Sequence, residues 1–590
     1  MDFMGMGVDT MVVLRATRLS KTYGIETIFK NASFEISLGE RVALFGPNGS
    51  GKSTLLRIMT GHETPDDGQV WINPELRVGY VPQKPEFPES VTPISLCHAA
   101  ICGLAGTGNA EEALSRFGIS KEMRTRRVET LSAGEQTRLG LACMWAIRPD
   151  ILLLDEPTCH LDIEGLELLT DFMLSHKGAA LIVSHDRRFL DDVAMRLLEL
   201  TPDGIRSFSG NYSAYRMQKE AEFDAQTKAY IHYKREERRL QGKVSQQMEW
   251  FRSAHRSAGQ NDFLRAKAKK GARRAKATAR RLERLRKEKV ARPRVNDSPQ
   301  MQMRQAEKTG VRMILAEGAS KAFGSTLLFD RLDLAISRGD HLGIIGPNGC
   351  GKTTLLHILL GSEPLTAGTV WRSPSCRSFY MDQHYETLDP NLTVLEATME
   401  AQLRGGAPCN DRGAQTQAAH DLLASLLIRG ADVHKRISVL SWGERARVSI
   451  ARMLISNYDL IALDEPTNNL DVESREAIEL CLAEWKGTLV VVSHDRRFLE
   501  HTCNMIAAFD SGKVSVFPGT YREWEEHRKR KAAQAIGSAE TPGHTMLELE
   551  HRLALLSARL SEEFQSDEER AAIEKEFLAT ARALNTIRRK

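Results

Sequence analysis

The stretch "GPNGSGKSTLL" (46–56) returns as "GPNGCGKTTLL" (346–356), and both fit the pattern GxxxxGK[ST], a cradle for phosphate. Gly46, Gly49 and Gly51, with Gly346, Gly349 and Gly351, let successive backbone N–H groups curl around phosphate oxygens, and the helix start that follows adds its dipole. Lys52 and Lys352 are placed to reach the β- and γ-phosphates of a nucleotide, and Ser53 and Thr353 to offer a hydroxyl to Mg²⁺. Asn48, Thr54, Asn348 and Thr354 complete the two candidate ATP-binding loops.

Two further constellations are also doubled. "LLLDEP" and "IALDEP" close apolar runs with a carboxylate pair. Asp155 and Asp464 are expected to orient the metal, and Glu156 and Glu465 to orient and deprotonate an attacking water. His185 and His494, each inside "VSHDRRFL", end the next apolar run, where a γ-phosphate can be sensed. A lone histidine there would be structural, but the same context in both copies points to function.

These residues need elements to hold them. Apolar runs such as "ERVALFG", "ILLLDEP" and "AALIVSHD" alternate with helical patterns, the order of an α/β core with a largely parallel sheet. Each phosphate loop follows a strand and opens a helix, the context that gives the motif meaning. The repeat runs at an offset of 300 from "KTYG"/"KAFG" to Gln83/Gln383, and at 309 from "LSAGE"/"LSWGE" onward, so the second copy carries nine extra residues between Gln383 and Ser441. Two homologous domains are expected, 11–215 and 311–530.

Between them, 216–306 is rich in Arg, Lys, Ala, Gln and Glu, a composition dominated by good helix formers. A break at "SAHRSAGQND" (253–262) suggests two long antiparallel helices with a tip near Gly259. From Lys234 to Arg294 there are 22 Lys and Arg against 6 Asp and Glu, while the whole chain carries only +4. Such concentrated charge asks for a polyanionic partner. Trp250, Phe251 and Phe263 flank the tip, suited either to stacking on bases or to stapling the helices together. The last segment, 545–590, spaces Leu549, Leu553, Leu556 and Leu560 as a short coiled-coil hairpin with balanced charge.

At 590 residues, 42% hydrophobic and 27% charged, the composition is that of a globular protein, with no apolar run of the roughly 18 residues a membrane span needs. The start "MDFMGMGVDTMVV" lacks the features of a secretory signal, so a cytoplasmic location without membrane association is expected. The nine cysteines show no metal-ligand spacing and read as reduced thiols.

Both halves resemble ATP-binding cassette domains, signature "LSAGE/LSWGE" included. The resemblance implies that Tyr23 and Phe323 stack on adenine and that Gln83 and Gln383 attend the metal and the water. It also implies that Ser132 and Gly134, and Ser441 and Gly443, cap nucleotide bound to the opposite copy. Two domains would then meet head to tail around two ATP molecules within one monomer, which explains the doubled cradle. With the basic linker, Glu135 and Glu444 in the signatures, and "SGNYSAY" (209–215) leading out of the first copy, nearly the whole chain is similar to the ABC-F family of soluble tandem-cassette proteins that bind the ribosome. In that family the linker enters the tRNA exit site and approaches the P-site tRNA and the peptidyl-transferase centre, contacts with rRNA and tRNA that salt would weaken. ATP binding would fix the linker there and hydrolysis release it, to relieve stalling or to displace an antibiotic. The long linker, and the lack of a large insertion between Gln83 and Ser132, lean towards antibiotic protection. A DNA-acting tandem-cassette ATPase and a transporter's ATPase subunit are the competing classes.

The chain departs from the family pattern at Ala133 and Trp442 in the signatures, at Cys159-His160 after the first acid pair, and at Cys350 in the second phosphate loop. Unequal turnover at the two sites and ordinary drift with both active are both compatible with these departures.

Overall fold

The computed structural model describes residues 11–257, 262–287, 312–404 and 412–534, isolated positions excepted, with a few more between 553 and 581. Asn48, His160, Asn468, Asn469, the proposed tip near Gly259 and nearly all of the expected C-terminal hairpin, 545–590, lie outside the described residues. The chain divides into two units, residues 1–211 with 299–590, and 212–298.

The first copy starts with β1 (Val12–Tyr23), β2 (Glu26–Ser37) and β3 (Arg41–Phe45), whose end leads through the phosphate loop into α1 (Lys52–Met59). Next come β4 (Asp67–Ile72), β5 (Val78–Val81), α2 (Pro93–Gly103), α3 (Ala110–Arg116) and α4 (Ala133–Ile147). It ends with β6 (Ile151–Asp155), α5 (Ile163–Ser175), β7 (Ala179–Val183), α6 (Arg187–Val193), β8 (Arg196–Thr201) and β9 (Gly204–Ser209). The second unit holds α7 (Tyr212–Ser257) and α8 (Asp262–Lys287).

The second copy repeats the first: β10 (Arg312–Phe323), β11 (Thr326–Ser337), β12 (His341–Ile345), α9 (Lys352–Leu360), β13 (Ala367–Arg372) and β14 (Ser378–Met381). Then follow α10 (Val394–Arg404), α11 (Arg412–Ser425), α12 (Trp442–Ile455), β15 (Leu460–Asp464) and α13 (Val472–Ala483). β16 (Thr488–Val492), α14 (Arg496–Thr502), β17 (Met505–Asp510), β18 (Lys513–Pro518) and α15 (Tyr521–Gln534) complete it. Part of the extra length in this copy is visible in α11, with 14 residues where α3 has 7.

Each copy has a six-stranded sheet, β5-β6-β7-β3-β8-β9 and β14-β15-β16-β12-β17-β18, and a three-stranded one, β2-β1-β4 and β11-β10-β13. The large sheets are parallel except for the last strand pair. All five residues of "ILLLD" and of "LIALD" are buried, because a parallel strand has both faces covered and alternation would leave polar side chains inside. Phe29, Leu44, Leu55, Leu181 and Leu198 share one core in the first copy, and Phe329, Ile344, Leu355 and Val490 its counterpart in the second. Neighbouring parallel strands end on the same edge. The order β6-β7-β3 therefore delivers an acid pair, a histidine and a phosphate loop side by side, in the crevice where open α/β sheets hold ligands.

The two long helices run antiparallel, as the pairing of Glu237 with Arg286 and of Gln247 with Thr278 requires. α7 is 46 residues long, about 69 Å at 1.5 Å rise. Glu236 and Glu237 bind bases on both helices, Arg239 and Arg281 for the first, Lys234 and Arg286 for the second. Leu240, Ala275 and Leu282 are buried, whereas all nine Lys and Arg between 270 and 287 are exposed.

α7 begins at Tyr212, inside "SGNYSAY" and four residues before the expected start of the linker. Gly210, at φ 98°, ends the strand, and Asn211 occupies the position that favours a short polar side chain at a helix start. The second copy does the same at offset 309: Gly519 and Thr520 precede Tyr521, the first residue of α15. Among the described residues no helix is long and apolar enough to cross a membrane.

Candidate nucleotide sites

The phosphate loops are built on strain that only glycine tolerates. Gly51 sits at φ 90°, and a Cβ there would lie 2.3 Å from Ile28 Cγ2. Its counterpart Gly351 has φ 104°, with Leu328 Cδ1 3.0 Å from the same imaginary atom. Lys52 Nζ donates to the Gly46 and Pro47 carbonyls at 2.8 and 2.9 Å, and Lys352 Nζ to those of Gly346 and Pro347 at 3.0 and 2.9 Å. Both ammonium groups are thus held over their loops. Gly49 and Gly349 also have positive φ, and Thr54 and Thr354 occupy the first turns of α1 and α9, half-buried.

Ser53 Oγ donates to Asp155 Oδ1 at 3.1 Å, and in the second copy the Thr353 hydroxyl lies close enough to Asp464 to oppose the upward push of burial on its carboxyl. A hydroxyl beside a carboxylate is a pair of hard oxygens suited to Mg²⁺, which keeps most of its coordination for water and phosphate. Among the described residues no cluster of three or more His, Cys, Asp or Glu could hold a metal alone. Burial pushes the Asp155 and Asp464 carboxyls up, a shift that a nearby cation would oppose.

Glu156 and Glu465 stand one residue past their strands at φ 49° and 50°, a left-handed conformation that costs roughly 1–3 kcal/mol in a non-glycine residue. Backbone bonds from Glu156 N to Val183 O, 2.9 Å, and from Glu465 N to Val492 O, 2.8 Å, maintain it. Glu156 Oε1 lies 3.2 Å from His185 Nε2 and Glu465 Oε1 3.6 Å from His494 Nε2, without hydrogen-bond alignment. Both Oε1 atoms are buried and have no hydrogen-bond partner among the described residues, so each can accept from a water. Burial pushes the Glu156 carboxyl up to about 7, against the pull of Lys52 and then Arg475. For Glu465 burial raises it to about 8, with Lys352 opposing. Burial and the lysine hold His185 well below its ordinary value, and His494 down to about 3.

Other expected residues lie at the margins. Tyr23 and Phe323 end β1 and β10 with about half of their surface exposed, Lys21 Nζ 5.5 Å from the Tyr23 ring and Lys321 Nζ 4.6 Å from that of Phe323. The Tyr23 hydroxyl donates to Glu63. Gln83 and Gln383 are exposed, two residues beyond β5 and β14, and no hydrogen bond joins them to the Ser53–Asp155 or Thr353–Asp464 pair.

Ser132 and Ser441 cap α4 and α12 in reciprocal boxes with Glu135 and Glu444, each carboxylate accepting from the serine N–H at 2.7 and 2.8 Å. This explains the glutamate in each signature: it completes the cap. Gly134 and Gly443 lie in the first turns of these helices. Trp442 packs within its own copy, its ring 6.1 Å from His384 and 6.2 Å from Tyr385, with the Arg445 guanidinium 5.7 Å away.

Sequence reading missed the bonds between the copies. Asp162, which caps α5 of the first copy, accepts from Arg138 at 2.8 Å and from the backbone N–H of Asn348, in the second phosphate loop, at 3.3 Å. Arg475 of the second copy donates to the His185 carbonyl oxygen at 3.2 Å. Arg187, almost fully buried, forks onto Glu479, and Arg188 meets Glu525 at 2.6 Å. No motif marks Arg475 or Glu479; aligning the copies would have flagged these two, since Leu166 and Thr170 stand opposite them.

A family model described as "ABC transporter" matches residues 29–159 and 329–468. The chain is 30% identical over 543 residues to the energy-dependent translational throttle protein EttA of Escherichia coli, covering 85% of this chain and 93% of that protein. It is 35% identical to the ATP-binding protein Uup of Caulobacter vibrioides, over 87% of this chain and 79% of Uup. To the ribosome protection protein VmlR of Bacillus subtilis it is 32% identical, over 83% of this chain and 86% of VmlR.

Proposed function

The chain belongs to the ABC-F family of tandem ATP-binding cassette ATPases, and from that premise we propose that it acts on the ribosome as a cytoplasmic monomer, driven by ATP held between its two copies. The observation that carries the catalytic part is the doubled glutamate, buried at positive φ beside a phosphate loop with one carboxylate oxygen unpartnered among the described residues.

In this reading the loops from Gly46 to Thr54 and from Gly346 to Thr354 hold the phosphates, with Lys52 and Lys352 turning from the loop carbonyls to the β- and γ-oxygens. Ser53 and Asp155, Thr353 and Asp464, with Gln83 and Gln383, would hold Mg²⁺, which when bound would neutralise charge on the phosphates. Glu156 and Glu465 orient the attacking water and take its proton. His185 and His494, kept neutral by burial, donate to the γ-phosphate. Tyr23 and Phe323 stack on the adenines, and the Ser132–Gly134 and Ser441–Gly443 turns close over nucleotide on the opposite copy.

The hairpin is the effector. Its exposed bases match the phosphates of folded RNA, and two relatives are named for a translational throttle and for ribosome protection. ATP-bound closure presents the hairpin to rRNA and to the P-site tRNA near the peptidyl-transferase centre, and hydrolysis withdraws it. The Glu156→Gln, Glu465→Gln chain with ATP is expected to cosediment with ribosomes and to release on raising the salt. If this chain ignored ribosomes and bound branched DNA or membrane vesicles, the reading would fall. Drug susceptibility of a host expressing the intact chain then separates antibiotic protection from relief of stalling.

A further inference from the structure

One bond between the copies serves the first site and has no equivalent at the second among the described residues. Arg475, near the start of α13, donates from Nη1 to the His185 carbonyl oxygen at 3.2 Å and from Nε to the Leu470 carbonyl oxygen of its own copy at 3.1 Å. Asp495 Oδ2 lies 3.9 Å from the same Nη1, and the side chain is 13% exposed. One guanidinium thus bonds to two acceptors beside a carboxylate, a use of its rigid fork that an ammonium cannot copy in full. His185 in turn holds its ring 3.2 Å from Glu156 Oε1.

At the equivalent position of the first copy stands Leu166, 2% exposed, whose side chain has no hydrogen to donate to His494. What bridges towards the second site is different: Asp162 accepts from the phosphate loop at Asn348 and, as an acceptor, cannot bond to the histidine carbonyl.

We infer that Arg475 is a positioning residue acting across the copies, tying the segment that bears Leu470 in the second copy to the His185 backbone in the first, so that the first site is fully assembled only when the second copy is seated against it. This rests on the reading of Glu156 and His185 as the hydrolytic pair. The hydrogen bonds of Arg475 reach the His185 backbone and its own copy, and its charge acts on Glu156, so its loss is expected to fall on the chemical step more than on ATP affinity. A displaced histidine lowers the rate because a water in poor alignment seldom reaches the reactive geometry.

The test uses the full chain with Arg475→Leu, which installs the residue found at the equivalent position, and Arg475→Lys, which keeps the charge and one donor direction. Steady-state ATP hydrolysis of Arg475→Leu should show kcat reduced by between about two-fold and ten-fold, with KM within about two-fold of the parent. Arg475→Lys should recover at least half of the loss. In a Glu465→Gln background, where the first site reports, the defect should persist. In a Glu156→Gln background it should vanish. An unchanged kcat, a defect confined to KM, no recovery with lysine, or an equal defect in both backgrounds would overturn the inference; where single silencing stops both sites, the intact chain decides alone. Hydrolysis persisting in the Glu156→Gln, Glu465→Gln chain would instead overturn the assignment of the glutamates.

Discussion

The two sites share the main bonds made within a copy and differ in those made between copies. Lysine over loop carbonyls and glutamate at positive φ recur almost unchanged. Across the junction, by contrast, the first site receives Arg475 at its histidine, and the second receives Asp162 at its phosphate loop. The first glutamate also has the Cys159 thiol 3.9 Å from Oε2, whereas a backbone N–H, of His185 in one copy and of His494 in the other, stabilises both glutamates. Residues answerable to ATP have stayed paired; Arg475, Glu479 and Glu525, which meet the other copy, have diverged from Leu166, Thr170 and Arg216, because each sees a different partner.

The ionic contacts carry the same lesson. Arg187 finds Glu479, but its equivalent Arg496 would face Thr170, whose hydroxyl donates to Leu166 O of its own helix at 2.8 Å. Arg496 is 4% exposed, with Nε and one Nη lacking a hydrogen-bond partner among the described residues. One arginine is matched and the other is confined.

The largest effect that can break this comparison is catalytic. Glu156→Gln and Glu465→Gln should each lower hydrolysis at their own site by about 10²–10⁴-fold. Single-turnover assays of the two variants show whether the residual rates differ; identical residual rates would mean that the unlike junctions leave chemistry untouched. Next comes stability. Arg187→Met leaves the buried Glu479 carboxylate without its guanidinium, with His501 Nδ1 at 3.4 Å, and should cost about 3 kcal/mol, whereas Arg496→Met should cost about 1 kcal/mol or less. Denaturant melts of both variants test this, and equal losses would dissolve the asymmetry. The smallest effect is on pH. Burial drives the Glu525 carboxyl up, but Arg188 outweighs it and holds the group below its ordinary value. The stability from this pair is therefore complete above the ordinary carboxylate range and is lost as pH falls through the lowered value. The gap in melting temperature between the parent and Glu525→Gln should close between about pH 5 and pH 3, and a gap unchanged by acid would exclude the pair as a source of stability.

How far the sequence reveals this depends on the range of the interaction. "ILLLDEP" announces a covered strand with acids at its end, since burial on both faces leaves no alternation and the chemistry sits at the next residue. The Ser132–Glu135 and Ser441–Glu444 boxes are equally local, spanning three residues. Arg475 is different: the carbonyl that it meets is 290 residues away, and nothing in "DVESREAIEL" distinguishes it from a solvated helical base. Trp442 shows the converse, a visible oddity in a signature whose contacts, His384 and Tyr385, lie in its own copy. The start of α7 falls four residues earlier than composition suggests, because "NYSAY" lacks the basic character of the linker and yet opens its helix.

That helix start has a geometric corollary. Since α7 sets out from the same point of the repeat as α15, the hairpin grows from a helix that the cassette plan already contains, and every residue inserted or deleted along it turns the remainder by about 100° and shifts it by about 1.5 Å. Changes in steps of seven residues nearly restore the azimuth, so evolution can lengthen or shorten the arm while the same flank leads. Steps of two turn it by about 200° instead.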